Sequence, residues 1–164
     1  YNGDIRDLTS VEQAGSHCSH IVHLAAQTSV PASIENPELN DDINLRGTKN
    51  IINYANSNNI KKVIFASSAA VYGNCEDVPL VEESAGDCRS PYAESKFQSE
   101  KDLLSLMSRE TQVHILRFFN VYGPGQDANS NYAAVIPSFI QRITSGQSPT
   151  IFGDGSQSLS LIHI

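Results

Sequence analysis

Short runs of β-branched and aliphatic residues alternate along the chain with longer stretches in which apolar residues return every three or four positions. That alternation predicts parallel strands wound with helices, an α/β fold. Residues 20–26, HIVHLAA, form the first expected strand, read as a buried one. The segment that follows, SVPASIENP, is dense in turn formers and predicts a loop, with Asn36 then capping a helix that has Pro37 at its first position. Leu39, Ile43, Gly47, Ile51 and Ala55 recur at steps of four and give this helix one packing stripe, in which Gly47 admits a close neighbour. Residues 61–68, KKVIFASS, predict a second strand ending in hydroxyl side chains. An irregular segment over 73–89 leads to Ser90 as cap and Pro91 as first residue of a further helix, with Ala93, Phe97, Glu100, Leu104 and Met107 on or near one side. VHILRFFNVYG predicts a third strand, and AAVIPSFIQRITSG a short helix broken at its start by Pro137.

Composition narrows the partners. Lys and Arg number 11 against 18 Asp and Glu, a net charge of -7, which argues against nucleic acid or an anionic membrane as the main partner. An anionic ligand must then be held by local groups. Cys18, Cys75 and Cys88 show neither CxxC nor zinc spacing, so reduced thiols in a cytoplasmic protein are expected, with no metal site. No apolar run approaches the roughly 18 residues a membrane span requires, and the chain reads as soluble.

In open α/β sheets ligands sit beyond the carboxyl ends of the strands. Tyr92 and Lys96, in SPYAESK, follow the second strand four positions apart and so share one helix face. A phenol with a pKa of about 10 is a poor base at neutral pH, and a nearby ammonium lowers that value. Taken alone the pair also fits an ordinary solvated helix face. Ser67 and Ser68, at the end of the second strand, fit either turn chemistry or a hydroxyl that donates to a substrate oxygen.

Six blocks together say more than any one of them. GDIRD, LAAQTSVPASIENP, NLRGT, FASSAAVYG, PYAESK and RFFNVYGPGQ resemble, in order and spacing, the extended short-chain dehydrogenase/reductase superfamily and within it the NAD-dependent nucleotide-sugar epimerases and dehydratases. The resemblance implies a partial Rossmann-like, doubly wound parallel sheet and NAD as cofactor. It makes Tyr92 the catalytic base and acid, Lys96 its partner and a ligand of the nicotinamide ribose, and Ser68 the hydroxyl that positions the sugar oxygen. Asp4 and Ile5 match the residues that bracket the adenine; Leu24, Ala25 and Ala26 match the strand end along the dinucleotide, and Asn44 a helix residue near it. Phe118 and Phe119 match the aromatic pair beside the nicotinamide. Asn120 matches a substrate contact, and Val135 and Ile136 the backbone that meets the nucleotide base. Phe118 and Phe119 would also suit any strand core, and Asn44 a helix surface.

The reaction turns on the two residues after Ser68. The family's 4,6-dehydratases carry Thr-Asp-Glu where this chain has Ser68, Ala69 and Ala70, and its decarboxylases usually keep a glutamate at the position of Ala70. Methyl side chains transfer no protons, so 4-epimerisation of a UDP-hexose through a 4-keto intermediate is the favoured expectation. Residues 125–140 resemble the corresponding stretch of UDP-glucose and UDP-N-acetylglucosamine 4-epimerases. Another nucleotide-sugar dehydratase or decarboxylase of the superfamily, a reductase of a nucleotide keto-sugar, and a catalytically idle cofactor-binding module are the alternatives. The family also implies a homodimer.

Both ends carry expectations of their own. The chain opens on YNGDIRD, read as the end of a strand that starts upstream, and it contains no Gly-x-x-Gly-x-x-Gly turn. The first βα units of the fold are therefore expected to be missing, so that the chain by itself binds NAD weakly or not at all and is inactive. The expected organisation is residues 1–124 as the later part of a cofactor domain and 125–158 as the start of a small substrate domain. Residues 159–164, LSLIHI, stand where the family has Arg-Asp-Phe or Arg-Asp-Tyr. They are read as a non-native tail encoded by a sequencing adapter, with a divergent native strand as the alternative.

Overall fold

The alternating pattern is borne out in the computed structural model, which describes residues 1–75, 78–126, 135–151 and 153–163. The chain forms two units, Tyr1–Arg117 and Phe118–Ile164, so the division falls ahead of the expected one after residue 124. The first unit holds the α/β layer. Strands β1 (His20–His23), β2 (Lys62–Ser68) and β3 (Gln112–Phe118, whose last residue lies past the division) stand in that order, with β1 and β2 parallel and His23 opposite Phe65.

Helix α1 (Leu8–Gly15) begins at Asp7, whose carboxylate accepts from the amides of Thr9 and Ser10 at 3.1 and 3.2 Å. It packs with α4 (Gly47–Ser57) and α5 (Pro91–Leu106) over one face of the sheet, where Val63, Phe65, Ile52 and Leu103 are almost completely buried. Each such side chain contributes roughly 1.5–3 kcal/mol on leaving water. Val22 and Leu116 are exposed.

Three expectations change. SVPASIENP is not a loop, because residues 30–35 form helix α2 (Val30–Glu35), capped by Ser29, whose Oγ accepts from the Ala32 amide at 3.0 Å. Pro31, read as a turn former, sits in the helix's first turn, where a missing N–H costs nothing. The long helix after Asn36 is also divided, into α3 (Pro37–Asp41), a π turn over Asp42–Arg46, and α4. A π turn inserts one extra residue into the helical register. The buried positions are therefore Asn40, ahead of it, and Asn44, within it, while Leu39 is exposed; past it Gly47, Ile51 and Ala55 are buried as expected. On α5, Leu103 takes the buried position expected of Leu104.

The second unit contains β4 (Asn120–Tyr122), parallel to β5 (Leu161–His163), and α6 (Val135–Thr144). VHILRFFNVYG is thus two strands, β3 and β4, which belong to different sheets. Pro137 lies within the first turn of α6, where proline is tolerated. Half of the stretch 125–140, residues 127–134, lies outside the described residues.

Candidate active site

Helix α5 starts at a point held from three sides. The Ser90 Oγ accepts from the Ala93 amide at 3.2 Å, the Tyr92 amide donates to Ser33 Oγ on α2 at 3.2 Å, and Asn40 Nδ2 on α3 donates to the Pro91 carbonyl at 3.1 Å. First-turn amides have no partner within a helix, so these bonds satisfy the helix start and fix Tyr92 in place together. Ser33 and Asn40, both fully buried, carry this support. Sequence reasoning passed over both, since Ser33 lay in a supposed loop and Asn40 was off the apolar stripe.

The tip of β2 approaches the same place. Ser68 caps a 3-10 turn over Ala69–Tyr72, its Oγ accepting from the Ala70 amide at 3.1 Å. With its oxygen occupied in this way, the hydroxyl proton of Ser68 is left to donate. Burial raises the Tyr92 phenol above its ordinary pKa of 10.0, and hydrogen bonding from Ser68 pulls in the opposite direction. The strand tip that carries Ser68 lies against the helix that carries Tyr92, joined to it by the Lys96 Nζ bond to the Ala66 carbonyl at 2.9 Å and by the Ser67 hydroxyl on Glu100.

The expected action of Lys96 on the phenol does not emerge from the chain by itself. The Lys96 Nζ donates to the Ala66 carbonyl at 2.9 Å and lies 4.9 Å from the Phe65 ring centroid, against 5.9 Å from that of Tyr92. The groups that move the phenol are burial and Ser68, and the net direction is upward rather than downward. Burial lowers Lys96 itself from 10.5 to about 8, so the amine remains mostly protonated at neutral pH. It is a buried cation beside the strand end.

His23 sits beneath this cation, 4% exposed, its ring 5.4 Å from that of Phe65. Thr48 Oγ1 donates to the Asn44 carbonyl at 2.6 Å, so its oxygen accepts at 3.0 Å from His23 Nε2, which must carry the proton. Burial first, and the Lys96 charge second, lower His23 from 6.5 to about 4.

The other expected residues lie as follows. Asn44 is buried with its amide fully engaged: Oδ1 accepts from the Gln27 amide at 2.9 Å, and Nδ2 donates to the Gln27 carbonyl, Asn40 Oδ1 and Ser95 Oγ at 3.0–3.1 Å. It anchors the loop just past Leu24, Ala25 and Ala26, of which Leu24 and Ala25 are exposed. Asp4 is forked onto Arg6 at 2.6–3.0 Å, which lowers its carboxyl from 3.8 to about 2. Ile5 packs on Gly47, where an added Cβ would stand 2.5 Å from Ile5 Cδ1; Gly47 thus admits the close neighbour expected of it. Phe118, Phe119, Asn120, Val135 and Ile136 belong to the second unit, in which Asn120 Nδ2 donates to the Ser160 carbonyl at 3.0 Å and Val135 and Ile136 open α6 half-buried.

One constellation beneath the site went unread in the sequence. Glu100 on α5 accepts from the Ser67 hydroxyl and, through both oxygens, from Arg117 at 2.7–3.3 Å. The signal was present, because Glu100 is a carboxylate on an otherwise apolar stripe, two helical turns past Tyr92.

A buried ammonium, two hydroxyls able to donate, and an open apolar strand end form a donor set suited to a ribose diol and a planar ring. All 164 residues match the model of the NAD dependent epimerase/dehydratase family. The chain belongs to that family. It is 39% identical over 167 residues to the putative UDP-glucose 4-epimerase of Methanocaldococcus jannaschii, covering 99% of this chain and 54% of the relative. Among solved structures it is similar to the UDP-N-acetylglucosamine 4-epimerase of Methanobrevibacter ruminantium in complex with UDP-N-acetylmuramic acid (TM-score 0.90, 40% identity, 99% of this chain and 53% of that one). It is likewise similar to the UDP-glucose 4-epimerase of Thermotoga maritima with UDP-glucose (TM-score 0.93, 30% identity, 99% and 54%). Two further solved epimerases of the family are complexes with NAD, and dehydratases and a decarboxylase are also among its relatives. The chain spans about half the length of the relatives it matches.

Proposed function

We propose that this chain supplies the proton-handling part of an NAD-dependent UDP-hexose 4-epimerase. The observation that carries the reading is the strand tip of Ser68 tied to the helix of Tyr92 and Lys96, with only methyl side chains, Ala69 and Ala70, at the start of the turn that follows. Tyr92 Oη takes the proton of the sugar 4-hydroxyl and returns it after the sugar has turned over. Ser68, its oxygen held by the Ala70 amide, donates to the same sugar oxygen and fixes where the proton moves. The Lys96 ammonium supplies the positive charge that favours the phenolate once substrate excludes water, and its remaining N–H groups suit a ribose diol. Leu24, Ala25 and Ala26 offer an apolar bed, with Asn44 holding the loop behind them. NAD, when bound, would supply reversible hydride transfer at the sugar's C4. Asp4 and Ile5 are assigned to the adenine, Phe118 and Phe119 to the nicotinamide side, and Asn120, Val135 and Ile136 to the UDP-sugar. A homodimer completes the assembly, following the family.

Proton NMR in deuterated water separates this reading from its rivals. The chain is placed in the Methanobrevibacter ruminantium epimerase in exchange for the segment it matches, and given UDP-N-acetylglucosamine or UDP-glucose with NAD. Epimerisation gives the 4-epimer with no deuterium on carbon. A dehydratase instead loses water and takes up deuterium beside the keto group, and a reductase consumes reduced nicotinamide in proportion to product; either result replaces the proposal.

A further inference from the structure

The carboxylate under the site is sealed from solvent and tied to four parts of the first unit. Glu100 is 3% exposed and accepts from Ser67, the residue just before Ser68. Arg117 closes on it as a fork, Nε to Oε1 at 3.0 Å and Nη2 to Oε2 at 2.7 Å. The remaining nitrogen of that guanidinium, Nη1, donates to Tyr72 Oη at 3.2 Å and to the Glu82 carbonyl at 2.6 Å. Tyr72 is the last residue of the turn that Ser68 caps. The pair thus grips the chain immediately before Ser68 and again at the end of the turn after it, from the helix that carries Tyr92.

Stability alone does not account for such an arrangement. Buried ion pairs are often no more stabilising than apolar residues of the same volume; a forked guanidinium instead specifies geometry, since its donors are rigid and matched to a carboxylate. The geometry specified here is that of the strand tip relative to α5. We infer that Glu100 and Arg117 are positioning residues that, through Ser67 and Tyr72, set the Ser68 strand tip against the part of α5 that carries Tyr92. The inference rests on the proposed roles of Ser68 and Tyr92, but its test needs neither substrate nor cofactor, so its failure is distinguishable from failure of the epimerase reading.

The test is a spectrophotometric titration of the chain itself, with Tyr92→Phe subtracted to isolate the Tyr92 step from those of the other tyrosines. Lys96, the nearby cation, stays in every variant. Ser68→Ala removes the hydroxyl whose influence lowers the phenol and is expected to move the step upward. Ser67→Ala, which frees the strand tip from Glu100 while leaving the ion pair intact, is expected to raise the step by a comparable amount and to add nothing further in the Ser68→Ala background. Glu100→Gln is expected to do the same where circular dichroism shows a native helix signal; where it fails to fold, Ser67→Ala decides. An unchanged step in Ser67→Ala, a shift of equal size in both backgrounds, or a fall toward the ordinary phenol value from simple loosening would each overturn the inference.

Discussion

Buried histidine makes the fold sensitive to acid in a way that can be worked out from the site. The folded chain keeps the His23 imidazole neutral down to about 4, against 6.5 for the free group, because a second proton at Nδ1 would place a charge in the core beside Lys96. Between those two values the unfolded chain binds more protons than the folded one, so stability falls as pH falls. At 1.36 kcal/mol per pKa unit the full effect is about 3 kcal/mol, and about 2 kcal/mol of it has been lost by pH 5. His23→Gln keeps an N–H able to reach Thr48 Oγ1 and removes the titration. Urea unfolding followed by circular dichroism at pH 7.5 and pH 5.0 reads the difference, with every other titrating group common to both chains. The variant is expected to lose about 2 kcal/mol less than the parent over that interval. Equal losses in the two chains would mean that His23 is not held neutral by burial.

Three further outcomes follow from the same architecture. Glu100→Ala leaves the Arg117 charge without its partner and is expected to cost about 3–5 kcal/mol in urea unfolding, whereas replacing both residues by methionine recovers most of that loss. Gly73 has φ +58 and a Cβ there would stand 1.8 Å from the Asp87 carbonyl oxygen, so Gly73→Ala should cost at least about 2 kcal/mol; a loss under about 1 kcal/mol would show that the turn relaxes freely. Lys96, lowered to about 8 in the folded chain, is disfavoured as a buried cation, so stability rises as pH climbs from about 8 toward 10.5, by about 3 kcal/mol in full. Lys96→Met removes that rise, and denaturation at pH 8 and pH 10 checks it.

What could be read in the sequence was the chemistry of neighbours. Ser90 and Pro91 announced the start of α5 because a cap and a first-turn proline act within one turn of chain, and the apolar runs marked β1 and β2 as strands, although β1, expected to be buried, ends at His23 and buries only that residue. Tyr92 and Lys96 shared a face because helical spacing is local. What could not be read depends on distant residues. Helix α2 is short and marginal alone, and Ser33 within it gains a partner from Tyr92, a residue far along the chain. The π turn over Asp42–Arg46 changed which side of the helix is buried, bringing Asn44 onto Gln27 and Ser95, and no periodicity in the sequence records an inserted residue. The direction of the Tyr92 shift was missed for a related reason. Spacing suggested an ammonium acting on a phenol, while burial, a property of the packed chain, is the larger effect and Lys96 turns to the Ala66 carbonyl instead.

The central claim, that Tyr92 Oη carries the proton of the sugar's 4-hydroxyl, is tested most directly by turnover of the Tyr92→Phe variant in the epimerase that carries this chain. The interconversion of UDP-N-acetylglucosamine and its 4-epimer, followed by proton NMR at saturating substrate, is expected to slow by about 10²–10⁴-fold with substrate affinity and helix content retained. Turnover equal to that of the unsubstituted protein would contradict it.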